Sequence, residues 1–169
     1  MLTRLDCTNG KFDDLITKWK AQCEQLGESF DDYAVPALTH AGQIAAENPP
    51  DRKYGIYAHE AQGSYDCLMH VNCARLPGTA GKTVRVLWVL LAPRFDFADV
   101  STADVASVAA NIMIGSVKLA QGEMEAQNVK IHLGNFTDRK YISTIAAALE
   151  TTKVFSAIAI RGNWLHITL

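Results

Sequence analysis

The stretch Thr83-Val-Arg-Val-Leu-Trp-Val-Leu-Leu-Ala92 decides the fold, and it runs directly into Pro93. Both alternating sets of positions are apolar apart from Arg85, which is typical of a central strand covered by helices on both faces. A second strand, Val129-Lys-Ile-His-Leu133, follows after a long segment with few charges. Strand, helix and strand in this order predict a right-handed crossover between two parallel strands.

The segment between these two strands is predicted to be a mostly buried helix. Ser101-Thr-Ala-Asp104 resembles a capping box, with Asp in place of Glu, and starts a helix that we expect to reach about Glu125. No charged residue lies between Asp104 and Lys118. Burial of the apolar side chains of this helix would contribute on the order of 10 kcal/mol before entropy is subtracted.

Upstream of the central strand, the sequence predicts an antiparallel meander. Two alternating stretches, Tyr54–Glu60 and Tyr65–Leu76, are separated by the turn pair Gly63-Ser64. Alternation predicts that one face of the second strand carries Tyr65, Cys67, Met69, Val71 and Cys73. It predicts that the other face carries Asp66, Leu68, His70, Asn72 and Ala74.

The remaining elements are predicted from helical spacing, alternation and turn residues. Gly27 marks the end of the first helix, and Gly162-Asn163 suits the tight turn of a closing hairpin. In chain order these elements are a strand over 2–7, a helix from Phe12 to Leu26, a helix from Phe30 to Glu47 that becomes regular near Val35, a helix from Asp138 to Thr151, and strands over 157–160 and 164–169.

The composition indicates a single domain, residues 1–169, that folds without disulfides or metals. The formal net charge is −2, so we expect no nucleic-acid partner. The longest apolar run, Val86 to Pro93, is too short to span a bilayer, so we expect no membrane partner. The four cysteines form no C-x-x-C pair and follow no secretory leader, so we expect reduced thiols and a cytoplasmic location.

The order of these elements resembles that of the GNAT superfamily of N-acyltransferases. Three stretches carry the resemblance: Val86-Leu-Trp-Val-Leu-Leu-Ala-Pro93, Ile131-His-Leu-Gly-Asn135 with the helix after it, and the hairpin from Phe155 to Leu169. The resemblance implies an α+β fold of α/β/α layers. Its mixed sheet would have about seven strands, an antiparallel meander plus one parallel pair, with about four helices.

The resemblance also implies an acyl-CoA site where the fourth and fifth strands splay apart. In that family the pantetheine arm bonds the backbone of the fourth strand, and the pyrophosphate rests on backbone amides where the next helix starts. Free N–H groups and the positive end of a helix attract an anion. The residues implied for acetyl-CoA or another acyl-CoA are Trp88, Val89, Leu90, Leu91, Arg94, Ser101 and Thr102.

The loop from Arg94 to Asp104 departs from the family pattern. It lacks the glycines of the family's pyrophosphate loop and carries three aspartates, with Arg94 as its sole cation. Carboxylates close to a diphosphate repel it. Ser101 and Asp104 can also satisfy the helix amides that a pyrophosphate would use. The sequence therefore leaves open whether acyl-CoA binds in the usual way.

Two residues are the catalytic candidates. The resemblance places His132 beside the acyl-transfer position, where a neutral imidazole could accept a proton from an amine. It also implies a tyrosine that protonates the departing thiolate, seven residues after an Asn. Counting from Asn135 gives Ile142, so Tyr141 falls one position short.

Polar groups on neighbouring strands complete the predicted site. His70 and Asn72 are the predicted substrate-binding residues. The five histidines show no short metal-binding spacing, so we expect no metal.

Two functions remain open. The first is an N-acyltransferase that moves an acyl group from acyl-CoA to a small-molecule or protein amine. The second is a catalytically silent module of the same fold that uses its groove or hairpin for binding or dimerisation. An exposed edge on the closing hairpin makes a homodimer the expected assembly.

Overall fold

The computed structural model describes residues 2–51, 53–61, 63–134, 146 and 155–169. The helices in these ranges are α1 (Lys11–Leu26), α2 (Val35–Ala45), α3 (Arg94–Phe97) and α4 (Thr102–Gln121), with a 3-10 turn at Phe30–Asp32. The strands are β1 (Leu2–Leu5), β2 (Tyr54–Ala61), β3 (Ser64–Arg75), β4 (Lys82–Leu91), β5 (Asn128–His132), β6 (Ala157–Arg161) and β7 (Trp164–Thr168).

The described strands form one seven-stranded sheet in the order β1-β2-β3-β4-β5-β7-β6. β4 and β5 are parallel, and every other neighbouring pair is antiparallel. The predicted mixed sheet, with its meander and its single parallel pair, is confirmed. The crossover from β4 through α4 to β5 is confirmed as well.

α4 covers one face of the sheet, packing against β4 and β5. Among the described helices, α4 is long and apolar enough, by length and composition alone, to cross a membrane. Its place in the core explains this character, because the side chains of Val108, Ile112 and Met113 are buried against the sheet. Gly115 lets α4 approach β1 closely, since a Cβ there would lie 2.5 Å from Leu2 Cγ.

The opposite face of the meander is covered by α1 and α2, which pack against β3 and β2. The predicted apolar stripe of α1 is confirmed, with Leu15, Trp19 and Cys23 fully buried. Trp19 is a core residue, and its indole Nε1 donates a hydrogen bond to the carbonyl oxygen of Tyr65 at 3.0 Å. The helix also ends as predicted, at Gly27 in the left-handed conformation.

One predicted side-chain direction is wrong. Tyr65 was expected on the face of Cys67, but it packs in the core beneath α1. The pairing passes from His59↔Cys67 to Glu60↔Tyr65, which leaves Asp66 without a partner on β2. This bulge adds one residue to β3, so alternation is broken and Tyr65 turns to the other face.

The structure also differs from the predictions on either side of the central helix. α4 ends at Gln121 rather than near Glu125, because the chain turns at Gly122. The loop after β4 contains the short helix α3, which the sequence pattern did not predict. The predicted helix over 138–151 lies outside the described residues, except for Ala146, which is helical and buried on the α4 side.

Candidate functional site

The parallel pairing between β4 and β5 stops partway along β4. It runs from Thr83↔Asn128 to Val86↔Ile131. β4 continues to Leu91, whereas β5 ends at His132. Beyond Val86, no described strand pairs with β4 on its β5 side. We call the gap between residues 87–91 and His132 the β4–β5 opening.

A bulge in β4 lies at the start of this opening. The pairing with β3 passes from His70↔Trp88 to Val71↔Val86, which leaves Leu87 without a partner. A bulge bends its strand and increases the local twist. The bulge therefore coincides with the position where the pairing of β4 with β5 ends.

The four strand residues predicted to contact the donor all lie along the opening. Trp88 and Leu90 pack toward the α1 side, whereas Val89 and Leu91 pack toward the α4 side. All four are only half-buried, although β4 is a central strand with helices on both faces, as predicted. The Leu91 carbonyl already accepts a hydrogen bond from the hydroxyl of Tyr33.

Two histidine–tryptophan pairs flank the opening. The rings of His70 and Trp88, on β3 and β4, have centroids 5.9 Å apart. The rings of His132 and Trp164, on β5 and β7, have centroids 4.9 Å apart. Ile131, next to His132 on β5, is buried on the α4 side, so both pairs lie on the face away from α4. The structure thus places His132 on the β5 side of the opening, and it places Trp88, with His70 behind it on β3, on the β4 side.

His70 and Asn72 line a pocket with a volume of about 410 Å³. Its other walls include His40 from α2, Glu47 just after the end of α2, and Tyr54 from β2. The structure therefore brings together the two predicted substrate-binding residues. Their role in binding stays a prediction.

The pocket favours a neutral imidazole at His70. Partial burial lowers the pKa of His70, and the neighbouring His40, 5.4 Å away between ring centroids, lowers it further. The hydroxyl of Tyr54 donates to both carboxylate oxygens of Glu47, at 2.8 and 2.7 Å, which raises the pKa of Tyr54. Arg85 Nε donates to Asn72 Oδ1 at 2.8 Å.

Arg94, the predicted cation of the pyrophosphate loop, is already paired. Its guanidinium donates to the buried carboxylate of Asp66 at 2.9 Å and lies over the ring of Phe95 at 4.4 Å. Asp66 also lies 3.3 Å from Nδ1 of His59. A diphosphate would therefore have to compete with Asp66 for this side chain.

The start of α4 is capped by the chain itself, as predicted. Ser101 Oγ accepts a hydrogen bond from the amide of Asp104 at 3.1 Å, and the Asp104 carboxylate accepts one from the amide of Ser101 at 3.3 Å. Nearby, burial raises the pKa of Asp96. Thr102 follows as the exposed first residue of the helix.

The two halves of an acyl-CoA therefore meet different surfaces. The edge of β4 beyond Val86, which pairs with no described strand, fits an extended arm that hydrogen-bonds as a strand would. Residues 94–104 offer the diphosphate a poorer site, because Arg94 is paired, the amides of Ser101 and Asp104 are capped, and the carboxylates would repel it.

The two remaining histidines and the catalytic candidate Tyr141 lie elsewhere or outside the described ranges. His59 is buried with Asp66, and His166 lies on β7. Tyr141 and Asn135 lie outside the described residues. The part of the chain that the structure describes contains no group of three or more side chains suited to a metal ion.

Sequence reasoning missed the α2 side of the pocket. His40, Ile44 and Glu47 all line it. Their spacing of four and three residues is typical of positions on one face of a helix. That spacing is the signal in the sequence that could have grouped them as one wall.

No protein-family model matches the chain, and no curated protein matches it. Among solved structures, the chain is similar to the crystal structure of a probable acetyltransferase, with a TM-score of 0.53 and 11% identity over 86% of this chain and 87% of the other. It is also similar to an aminoglycoside 6'-acetyltransferase type Ii, with a TM-score of 0.50 and 9% identity over 99% and 96% of the two chains. The chain therefore has the GNAT acyltransferase fold, as the resemblance predicted.

Proposed function

We propose that this protein is an N-acyltransferase that moves an acyl group from a thioester donor, of which acyl-CoA is the expected kind, to an amine bound in the pocket of His70 and Asn72. The β4–β5 opening carries the proposal. It exposes the backbone of residues 87–91 next to that pocket, so donor and acceptor could meet there. Similar solved structures of acetyltransferases support the same class of reaction.

The chain's own groups would position and stabilise the reactants. Backbone N–H groups of β4 along the opening could hold the donor arm and stabilise the negative charge that develops on the acyl oxygen. The thioester supplies an activated acyl carbonyl. A bond forms between the amine nitrogen and that carbon, and the carbon–sulfur bond breaks. The amine proton passes to an imidazole and then to the departing thiolate.

We assign the imidazole role to His132 and the positioning of the amine to His70. His132 ends β5 at the edge of the opening and is held against Trp164. His70 lies in the pocket wall, and its lowered pKa keeps it neutral at pH 7. A neutral His70 can accept a hydrogen bond from the amine. It is also the second candidate for the base.

Donor binding is tested by thermal unfolding with increasing acetyl-CoA. A ligand at about 100 times its dissociation constant should stabilise the folded protein by roughly 2.7 kcal/mol. No shift at millimolar acetyl-CoA would exclude ordinary donor binding. The alternative of a catalytically silent binding module would then stand in its place.

Catalysis is tested by following thiol release from acetyl-CoA with a panel of primary amines. We expect His132→Ala to lower kcat by about 10²-fold or more, the typical contribution of a general base. His70→Ala should mainly raise KM. Gln43→Ala, on the exposed side of α2, is the control and should leave both constants unchanged. Unchanged kcat in His132→Ala would exclude its assigned role, and a loss of kcat in His70→Ala would transfer that role to His70.

A further inference from the structure

A row of polar side chains crosses the sheet on the face away from α4. The strand register aligns its members across β2, β3, β4, β5 and β7. In that order they are Tyr54, Asn72, Arg85, Lys130 and His166. The strand neighbours of the last three members are buried in the core on the α4 side, namely Val84, Val86, Val129, Ile131, Leu165 and Ile167.

The part of this row beyond the pocket is cationic. Arg85 and Lys130 are direct neighbours in the parallel pair β4–β5. Burial lowers the pKa of His166, and the nearby charges of Lys130 and Arg161 lower it further, so cationic groups lie around this histidine. The strands β4, β5, β6 and β7 contain no Asp or Glu.

These cations lack carboxylate partners among the described residues. The ion pairs of the described residues include none from Arg85, Lys130 or Arg161. Arg85 is bonded instead to the neutral amide of Asn72. Arg85 and Lys130 are both half-buried. Partly desolvated cations without a counter-charge are unfavourable, and a bound anion would offset that cost.

The cationic part is continuous with the proposed acceptor pocket. Asn72 lines the pocket and accepts the hydrogen bond from Arg85. The positive charge of Arg85 therefore lies directly behind the pocket wall. Within the pocket, Lys53 adds another cation, and the carboxylate of Glu47 is held by the hydroxyl of Tyr54. An acceptor in the pocket could therefore reach Arg85 and Lys130 directly.

We infer that the acceptor is a primary amine that also carries an anionic group, a carboxylate or a phosphate, and that Arg85 and Lys130 bind this group on the open face of the sheet. This inference rests on the proposed function. The planar guanidinium of Arg85 suits an oxyanion, and charge complementarity excludes acceptors with several positive charges. Aminoglycosides and polyamines should therefore be poor acceptors.

The test compares acceptors that differ only in the anionic group. Lysine is compared with cadaverine, which lacks the carboxylate, and phosphoethanolamine with ethanolamine, which lacks the phosphate. With acetyl-CoA as donor, we expect kcat/KM to be at least tenfold higher for one or both anionic members. The pair that shows the difference identifies the anion. Equal or better turnover of both plain amines would overturn the inference and leave the proposed function intact.

Matched variants assign the effect to the sheet face. Arg85→Gln and Lys130→Gln should each remove most of the preference for the anionic acceptor, mainly through KM. The preference is measured in each variant relative to the plain amine, because Arg85→Gln also removes the hydrogen bond to Asn72 in the pocket wall. Lys118→Gln, an exposed lysine on α4, is the control and should keep the preference. A preference that survives both Arg85→Gln and Lys130→Gln would contradict the assignment.

A binding measurement separates the two proposals if no amine is acylated. Nuclear magnetic resonance titrations of the protein with each acceptor, without donor, should show tighter binding of the anionic members. The amide shifts should centre on β4 and β5, and binding should weaken at least tenfold in the double variant Arg85→Gln/Lys130→Gln. Such binding without turnover would reject the proposed function alone. Equal binding of both members of each pair would reject the anion site.

Discussion

At the scale of single residues, His70 shows how burial sets a protonation state. Its ring lies between the rings of His40, Tyr54 and Trp88, and its surroundings disfavour the imidazolium, which lowers its pKa. The ring is thus neutral in the folded protein at a pH where an exposed imidazole is already partly protonated. A neutral ring is what the proposed contact with an amine requires.

This lowered pKa predicts a pH dependence of stability. The unfolded chain binds more protons than the folded chain between the folded pKa of His70 and its ordinary value near 6.5. The contribution of His70 to the free energy of unfolding should therefore be fully present above pH 6.5. It should be lost as the pH drops through the folded pKa. Urea unfolding at pH 7 and pH 5 measures this loss, which should be smaller in His70→Gln than in the wild-type protein.

His166 needs separate treatment in that experiment, since burial and its cationic neighbours lower its pKa as well. The double variant His70→Gln/His166→Gln should show the smallest loss of stability on acidification. An unchanged loss in both variants would contradict the protonation argument for these two rings.

Side-chain identity predicted part of the site, and tertiary packing determined the rest. Alternation along β3 placed His70 and Asn72 on one face, and in the structure both line one pocket. The pairing of Arg94 with Asp66 was beyond sequence reasoning. It depends on the bulge at Asp66 and on α3, which bring together residues that are far apart in the chain.

At the scale of elements, strongly periodic segments were predictable and single-residue irregularities were not. The continuous apolar run of β4 and the helical stripe of α1 predicted the correct elements, because many positions contribute to each pattern. The bulges at Asp66 and Leu87 each depend on one inserted residue. An inserted residue reverses the side-chain directions on one side of it relative to the other, which explains the wrong direction for Tyr65, next to Asp66.

The contact between α4 and β1 provides an element-scale prediction. A methyl group at Gly115 would overlap the side chain of Leu2, and overpacking typically costs about 1–3 kcal/mol. The higher helix propensity of Ala offsets about 1 kcal/mol of this cost. Gly115→Ala should therefore lower the free energy of unfolding in urea by about 1 kcal/mol.

A double-mutant cycle isolates the steric cause. Leu2→Ala removes the overlapping atoms, so Gly115→Ala should be neutral or stabilising in that background. The two substitutions should then be non-additive, as expected for residues in contact. Additive effects would show that Gly115 is not needed for the approach of α4 to β1.

At the scale of the whole molecule, charge is unevenly distributed although its sum is small. The net charge of −2 gave no indication of a charged binding surface. The structure collects Arg85, Lys130 and Arg161 on four adjacent strands that lack acidic residues. Composition could not reveal this, because the strands meet only through the crossover and the closing hairpin.

The sheet ends at β6, and this edge supports the predicted homodimer. β6 pairs with β7 on one side and with no described strand on the other. Its Ile160 is 39% exposed, so edge pairing with a second copy would also bury apolar surface. We expect sedimentation to show a dimer, and Ile160→Lys to shift it toward monomer. Sedimentation of the wild-type protein as monomer alone would contradict this prediction.

The tryptophans of the two histidine–tryptophan pairs make intrinsic fluorescence sensitive to the β4–β5 opening. Of its three tryptophans, Trp19 is fully buried beneath α1, whereas Trp88 and Trp164 flank the β4–β5 opening. Anything that enters the gap alters the polarity around two indoles and leaves the third as an internal reference. Intrinsic fluorescence of the unlabelled protein can therefore follow occupancy of the gap directly, and Trp88→Phe and Trp164→Phe would show which wall is touched first.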